Sequence, residues 1–145
     1  MLANVTTIES MRATLLEAGL EVFRVQDQTV HLAERVRSHL MDAGVRVRCA
    51  DKLEVDVTVR SQSSDFPADA ADALFARVRA AIVELASARG FLETAAAPRD
   101  IRDPVDDSRL LDVWYEITFT KDATQPAALI DDVRWALRLP KCVTR

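Results

Sequence analysis

Residues 8–43 carry a heptad stripe. Ile8, Met11, Leu15, Ala18, Val22, Val25, Thr29, Leu32 and Val36 follow one another at alternating steps of three and four, and Leu40 and Ala43 extend the series. Such spacing keeps one seam of an α-helix apolar over several turns. It predicts a helix over about 7–43, opened by the capping pattern Thr6-x-x-Glu9 and closed by Gly44 as a left-handed cap. At 1.5 Å per residue that helix would span roughly 55 Å, more than the width of a domain this size. Part of it should project as an oligomerisation element, with Leu15, Val22, Val25, Leu32 and Val36 as the candidate interface with a second copy. Leu16, Leu20, Phe23, Val30 and Ala33 widen the apolar face.

Gly19 opposes this reading, because glycine inside a helix costs about 1 kcal/mol relative to alanine. A rival parse ends the helix at Ala18, makes Leu20–Val25 a strand and starts a new helix near Asp27. The stripe keeps phase across Gly19, and this favours the continuous helix.

The chain has 145 residues, read as a single domain over 1–145 with 49% apolar residues. A net charge of −4 supplies no basic field for a nucleic-acid backbone, so nucleic acid is not an expected partner. No leader-like opening and no apolar run of about 18 residues is visible, so the expectation is a cytoplasmic protein without a membrane partner. Cys49 reads as a buried thiol in a strand and Cys142 as a free thiol near the end, with a disulfide between them disfavoured.

After Gly44 the apolar period becomes two. Val45, Val47 and Cys49 alternate with arginines, and Leu53, Val55, Val57 and Val59 alternate with polar residues. A turn at Asp51 sets Cys49 against Leu53, Val47 against Val55 and Val45 against Val57. The other face then pairs Arg48 with Glu54 and Arg46 with Asp56, which reads as solvated ion pairs rather than a catalytic carboxylate pair.

Residues 61–67 read as a linker, and Pro67 opens a helix with Asp69 and Asp72 in its first turns. Its buried stripe is Ala71, Leu74, Phe75, Val78, Ala81, Ile82 and Leu85, and Gly90 caps it. Phe91–Ala97 is a weak strand, and 98–109 reads as an exposed loop. A clear strand follows, with Leu111, Val113, Tyr115, Ile117 and Phe119 inward and Asp112, Trp114, Glu116, Thr118 and Thr120 outward. A last helix starts near Thr124–Pro126, buries Leu129, Ile130, Val133 and Leu137, and stops before Pro140.

The expected fold is therefore α+β: a long N-terminal helix, then β-β-α-β-β-α, with an antiparallel four-stranded sheet and helices mainly on one face. That element order resembles the class I effector chaperones of bacterial secretion systems, which are likewise small, acidic and dimeric. No motif accompanies the resemblance.

Chemistry-bearing patterns are sparse. His31 and His39 on one helix would stand two turns and about 80° apart, too far to share a zinc ion. Asp103, Asp106 and Asp107 lack the order of a calcium loop. There is no phosphate loop and no nucleophile elbow. The expectation is no cofactor, no metal and no catalytic set. Trp114 stands out, flanked by Asp112 and Glu116 on the polar side of its strand. These three are the candidate partner-binding residues, with Trp114 able to stack on an arginine brought by a partner.

The sequence thus points to a non-enzymatic interaction module, an adaptor, chaperone-like factor or assembly component acting as a homodimer. One alternative is a sensor or enzyme with a pocket between sheet and helices, using Asp112, Glu116 and His39. The other is an immunity-type toxin inhibitor.

Overall fold

Gly19 ends the first helix instead of lying inside it. In the computed structural model, which describes residues 7–62 and 71–139, α1 covers only Ile8–Glu17. Thr7 is its N-cap and accepts the Ser10 N–H at 3.1 Å, one residue later than the Thr6-Glu9 pattern suggested. At the other end the Leu20 N–H reaches the Leu15 carbonyl at 3.1 Å and the Gly19 N–H reaches Leu16 at 3.0 Å. This crossed pair is a Schellman cap, and its left-handed residue is Gly19 at φ +82°.

The expected long helix is thus replaced by a helix and a three-stranded meander. The strands are β1 (Val22–Gln26), β2 (Thr29–Val36) and β3 (His39–Cys49). Two-residue turns join them, Asp27-Gln28 at φ 52° and 60° and Arg37-Ser38 at φ 51° and 73°. Positive φ at both central residues is the signature of the hairpin turn whose twist matches the flanking strands. Burial does not follow the helical seam. Val30, outside the seam, is fully buried, whereas the seam residues Val25 and Val36 are 42% and 48% exposed. The rival parse was right about the strand after Gly19 and wrong about a helix from Asp27.

The remaining elements are β4 (Leu53–Gln62), α2 (Ala71–Ala88), β5 (Leu92–Arg102), β6 (Leu110–Asp122) and α3 (Pro126–Arg138). Together they make an α+β fold with three helices and a six-stranded antiparallel sheet in the order β1-β2-β3-β4-β6-β5, rather than four strands. The element order behind the chaperone resemblance is therefore absent. The β3–β4 hairpin has the expected register, Val45–Val57, Val47–Val55 and Cys49–Leu53, with Arg46–Asp56 and Arg48–Glu54 on the other face. The ion pairs differ from expectation in one respect. Asp56 is only 3% exposed; its Oδ1 accepts from Thr120 at 2.8 Å and lies 3.2 Å from Arg48.

By packing, the chain falls into two compact units, Met1–Val57 with Thr120–Arg138, and Thr58–Phe119 with Leu139–Arg145. In the first, α1 lies against β1 and β2, and α3 against β3. Met11, Leu15, Val30, Leu32, Val45, Val47, Val55, Val57, Leu129 and Val133 are all buried there. Arg134 of α3 donates to the Ala18 carbonyl at 2.9 Å, satisfying one of the free carbonyls at the end of α1. Lys121 meets the buried Asp132 at 3.0 Å. Ile130 and Leu137, expected to be buried, are half-buried.

In the second unit α2 lies against β5, with Ile82, Ala86, Phe91, Ile117 and Phe119 buried. Leu85, expected in the helix stripe, is half exposed. The expected loop at 98–109 is shorter, because β5 continues through Pro98 to Arg102. Asp103 then accepts the N–H of Val105 at 2.8 Å, and Asp106 accepts that of Ser108 at 3.1 Å. These aspartates shape the turn into β6. Thr6, Pro67, Asp69 and Cys142 lie outside the described residues, as do the side chains of Ala71, Asp72, Leu74 and Phe75.

Candidate functional site

Strand β6 is thirteen residues long, about 43 Å at 3.3 Å per residue, whereas the eighteen residues of α2 span about 27 Å. A helix of that length cannot cover the strand. Ile117 and Phe119 are buried, but Leu110 and Leu111 are each 49% exposed. Leu111 was expected to face inward. Val113 and Tyr115 are half-buried.

On the polar side of this strand the second unit gathers six residues. Thr58 of β4 and Thr118 of β6 meet hydroxyl to hydroxyl at 3.0 Å. Two residues further along each strand, Arg60 Nε lies 3.7 Å from Glu116 Oε1. Trp114 comes next on β6, and the Arg60 guanidinium carbon stands 4.2 Å from its ring centroid. Arg99, delivered by β5, lies 3.5 Å from the same Glu116 oxygen and 5.8 Å from the indole centroid. A planar guanidinium over an indole gains from the ring's negative face while its N–H edge stays available. The arginine expected from a partner is thus supplied by the chain itself.

Hydrogen bonding in this cluster is incomplete. Glu116 Oε1 is shielded from solvent and accepts no hydrogen bond, so charge alone holds it. Among the described residues the guanidinium of neither Arg60 nor Arg99 donates a hydrogen bond to another side chain or to the backbone. Both remain open to water, with side chains 45% and 64% exposed.

The other candidates are dispersed. Asp112 is half-buried and its Oδ1 accepts the Val113 N–H at 2.8 Å. His39 opens β3 in the first unit, exposed beside the Arg37-Ser38 turn. The seam residues divide among three elements: Leu15 on α1, Val22 and Val25 on β1, Leu32 and Val36 on β2. Leu15 and Leu32 are fully buried in the chain's own core. Val25 and Val36 stay exposed, as do Phe23, Leu40 and Met41 of the same unit.

Sequence reasoning weighed His31 only as a zinc ligand on a helix; it sits instead on β2, between Arg24 and Arg46 in the transverse row. Its Nδ1 is buried without a hydrogen bond, 3.9 Å from Asp42. Burial, then Arg24, holds its pKa below the ordinary value; Asp42 pulls the other way and Arg46 adds to the lowering. Cys49 is a buried free thiol whose pKa burial pushes up.

A groove of about 430 Å³ runs beside α2, lined by Ala76, Arg79, Ala80, Val83 and Glu93. Its two charges answer each other, Arg79 holding Glu93 at 3.0 and 2.8 Å, and it contains none of Asp112, Glu116 and His39. Among the described residues no three His, Cys, Asp or Glu side chains stand close enough to hold a metal ion. None of the described helices is long and apolar enough to cross a membrane.

No family model, curated protein or solved structure matches the chain.

Proposed function

We propose that the chain is a non-enzymatic protein-binding module, an adaptor, chaperone-like or assembly component, that acts through the Trp114 face of β6. The observation that supports this most is the stack of Trp114 with Arg60, beside Arg99 and Glu116. Tryptophan and arginine dominate the few residues that carry binding energy at interfaces. Here the indole is already oriented, so less side-chain entropy remains to be lost on binding. The module acts as a homodimer through the exposed apolar residues of the first unit, Phe23, Val25, Val36, Leu40 and Met41. Its place of action is the cytoplasm, where the buried Cys49 thiol stays reduced.

The test uses a photo-cross-linking amino acid placed at the exposed Leu110, four residues from Trp114 on the same side of β6, with the same group at the exposed Glu84 of α2 as control. Adducts from 110 that map to another protein and are lost in Trp114→Ala, and their absence from 84, are the expected result. A probe at 110 that captures no more than the control removes the reading. Light scattering should show a mass above 16.1 kDa. Val25→Asp should lower that mass without unfolding the chain, whereas Leu32→Asp should unfold it. A monomeric wild type ends the dimer part of the proposal.

A further inference from the structure

The cluster around Trp114 is short of anionic oxygen. Two guanidiniums converge on one carboxylate oxygen, Glu116 Oε1, at 3.7 and 3.5 Å, both longer than a hydrogen bond. Each guanidinium carries five N–H donors. Among the described residues none of these donors is taken up by the protein. A carboxylate arriving from outside would find two N–H forks, one of them already held over an indole at 4.2 Å.

The surroundings narrow the class of partner. Strand alternation puts Leu110 on the same side of β6 as Trp114, and Leu110 is 49% exposed. An apolar side chain about 13 Å from the cationic pair suits a peptide with mixed side chains better than a uniform polyanion.

We propose that the Arg60–Trp114–Arg99 stack is a docking site for an acidic segment of a partner protein, whose Asp or Glu carboxylates take the free guanidinium donors. This rests on the protein-binding reading above. Charge complementarity also makes the contact salt-sensitive, because both arginines lie at the surface.

The experiment measures fluorescence anisotropy of a labelled Glu/Gly peptide titrated with the full chain. A Gln/Gly peptide and a single-stranded DNA oligomer of equal length serve as competitors. The Glu peptide should bind at least about ten-fold more tightly than its Gln counterpart. R60Q/R99Q should weaken it by about ten-fold or more, and R99Q alone should give a partial loss if the double variant does not fold. R12Q/R77Q removes the same charge from exposed positions on α1 and α2 and should change affinity less than about two-fold. Equal binding of Glu and Gln peptides, an equal loss in the two double variants, or tighter binding of DNA each overturns the proposal. Cross-linking at position 110 separates the two levels of inference. A captured protein that R60Q/R99Q still captures leaves the binding module standing and removes the acidic partner. A Glu peptide that binds with the expected variant losses, while position 110 captures no protein, removes both the broader reading and the acidic segment as occupant.

Discussion

Replacing Gly19 by alanine separates two folds by the sign of one free energy. Gly19 sits at φ +82°, and a Cβ added there would meet nothing within 4 Å. Neighbouring atoms therefore impose no cost, and the backbone conformation alone sets the penalty. A left-handed alanine costs about 1–2 kcal/mol, and a stiffer unfolded chain returns about 0.4–1 kcal/mol. The expected result is a net loss of roughly 0–1.6 kcal/mol, centred on about 0.8 kcal/mol. Were residues 8–43 one helix, the same substitution would gain about 1 kcal/mol. Urea denaturation resolves this difference, since a slope of about 1–3 kcal/mol per molar makes it a midpoint shift of a few tenths of a molar or more. A Trp114→Phe background leaves Trp135 of α3, in the same unit as α1, as the fluorescent reporter. Gly19→Asn should cost less than alanine, because asparagine tolerates the left-handed region. A Gly19→Ala protein more stable than wild type would refute the Schellman cap and the meander that follows it.

Asp56→Asn should lose about 1–3 kcal/mol in the same assay, because the carboxylate is buried against Thr120 and Arg48. Asp122→Asn, in an exposed pair with Lys52, should stay within about 0.5 kcal/mol; equal effects would mean that Asp56 is solvated. His31 has a folded pKa below its ordinary value, so the unfolded state binds its proton more readily. Its stabilising contribution is therefore complete above the unfolded pKa of about 6.5 and is lost as pH falls through the folded value. Wild type should lose stability between about pH 7 and 5 more steeply than His31→Gln, and parallel curves would mean that His31 stays solvated and close to its ordinary pKa.

Much of the chain was legible where a local rule had no competitor. The β3–β4 register followed from strict alternation and opposed charges, because one slipped residue would turn Val45, Val47, Val55 and Val57 to the polar face. Ten residues of alternating pattern, 111–120, announced β6, which extends a little at both ends, and the terminal helix was bounded by Pro126 and Pro140. The tryptophan between two carboxylates was visible as an anomaly. Its arginines were not, because Arg60 and Arg99 are distant in sequence and meet only when β4, β6 and β5 lie side by side.

The first half failed for a specific reason. Type I′ hairpins are usually announced by Asn-Gly or Asp-Gly, but this chain turns on Asp27-Gln28 and Arg37-Ser38, where residues with side chains carry the positive φ. Without a turn signal, short strands joined by two-residue turns placed apolar residues at spacings of three and four, which read as a helix. Local sequence thus determined where apolar side chains fall and which glycine can end a helix. Only tertiary structure decided which period those residues obey. Helix and strand satisfy the same backbone groups, and the choice depends on which face finds a surface to bury itself against. Here Val30 and Leu32 are fully buried in the core of the first unit, while Val25 and Val36 of the apparent seam remain open to water.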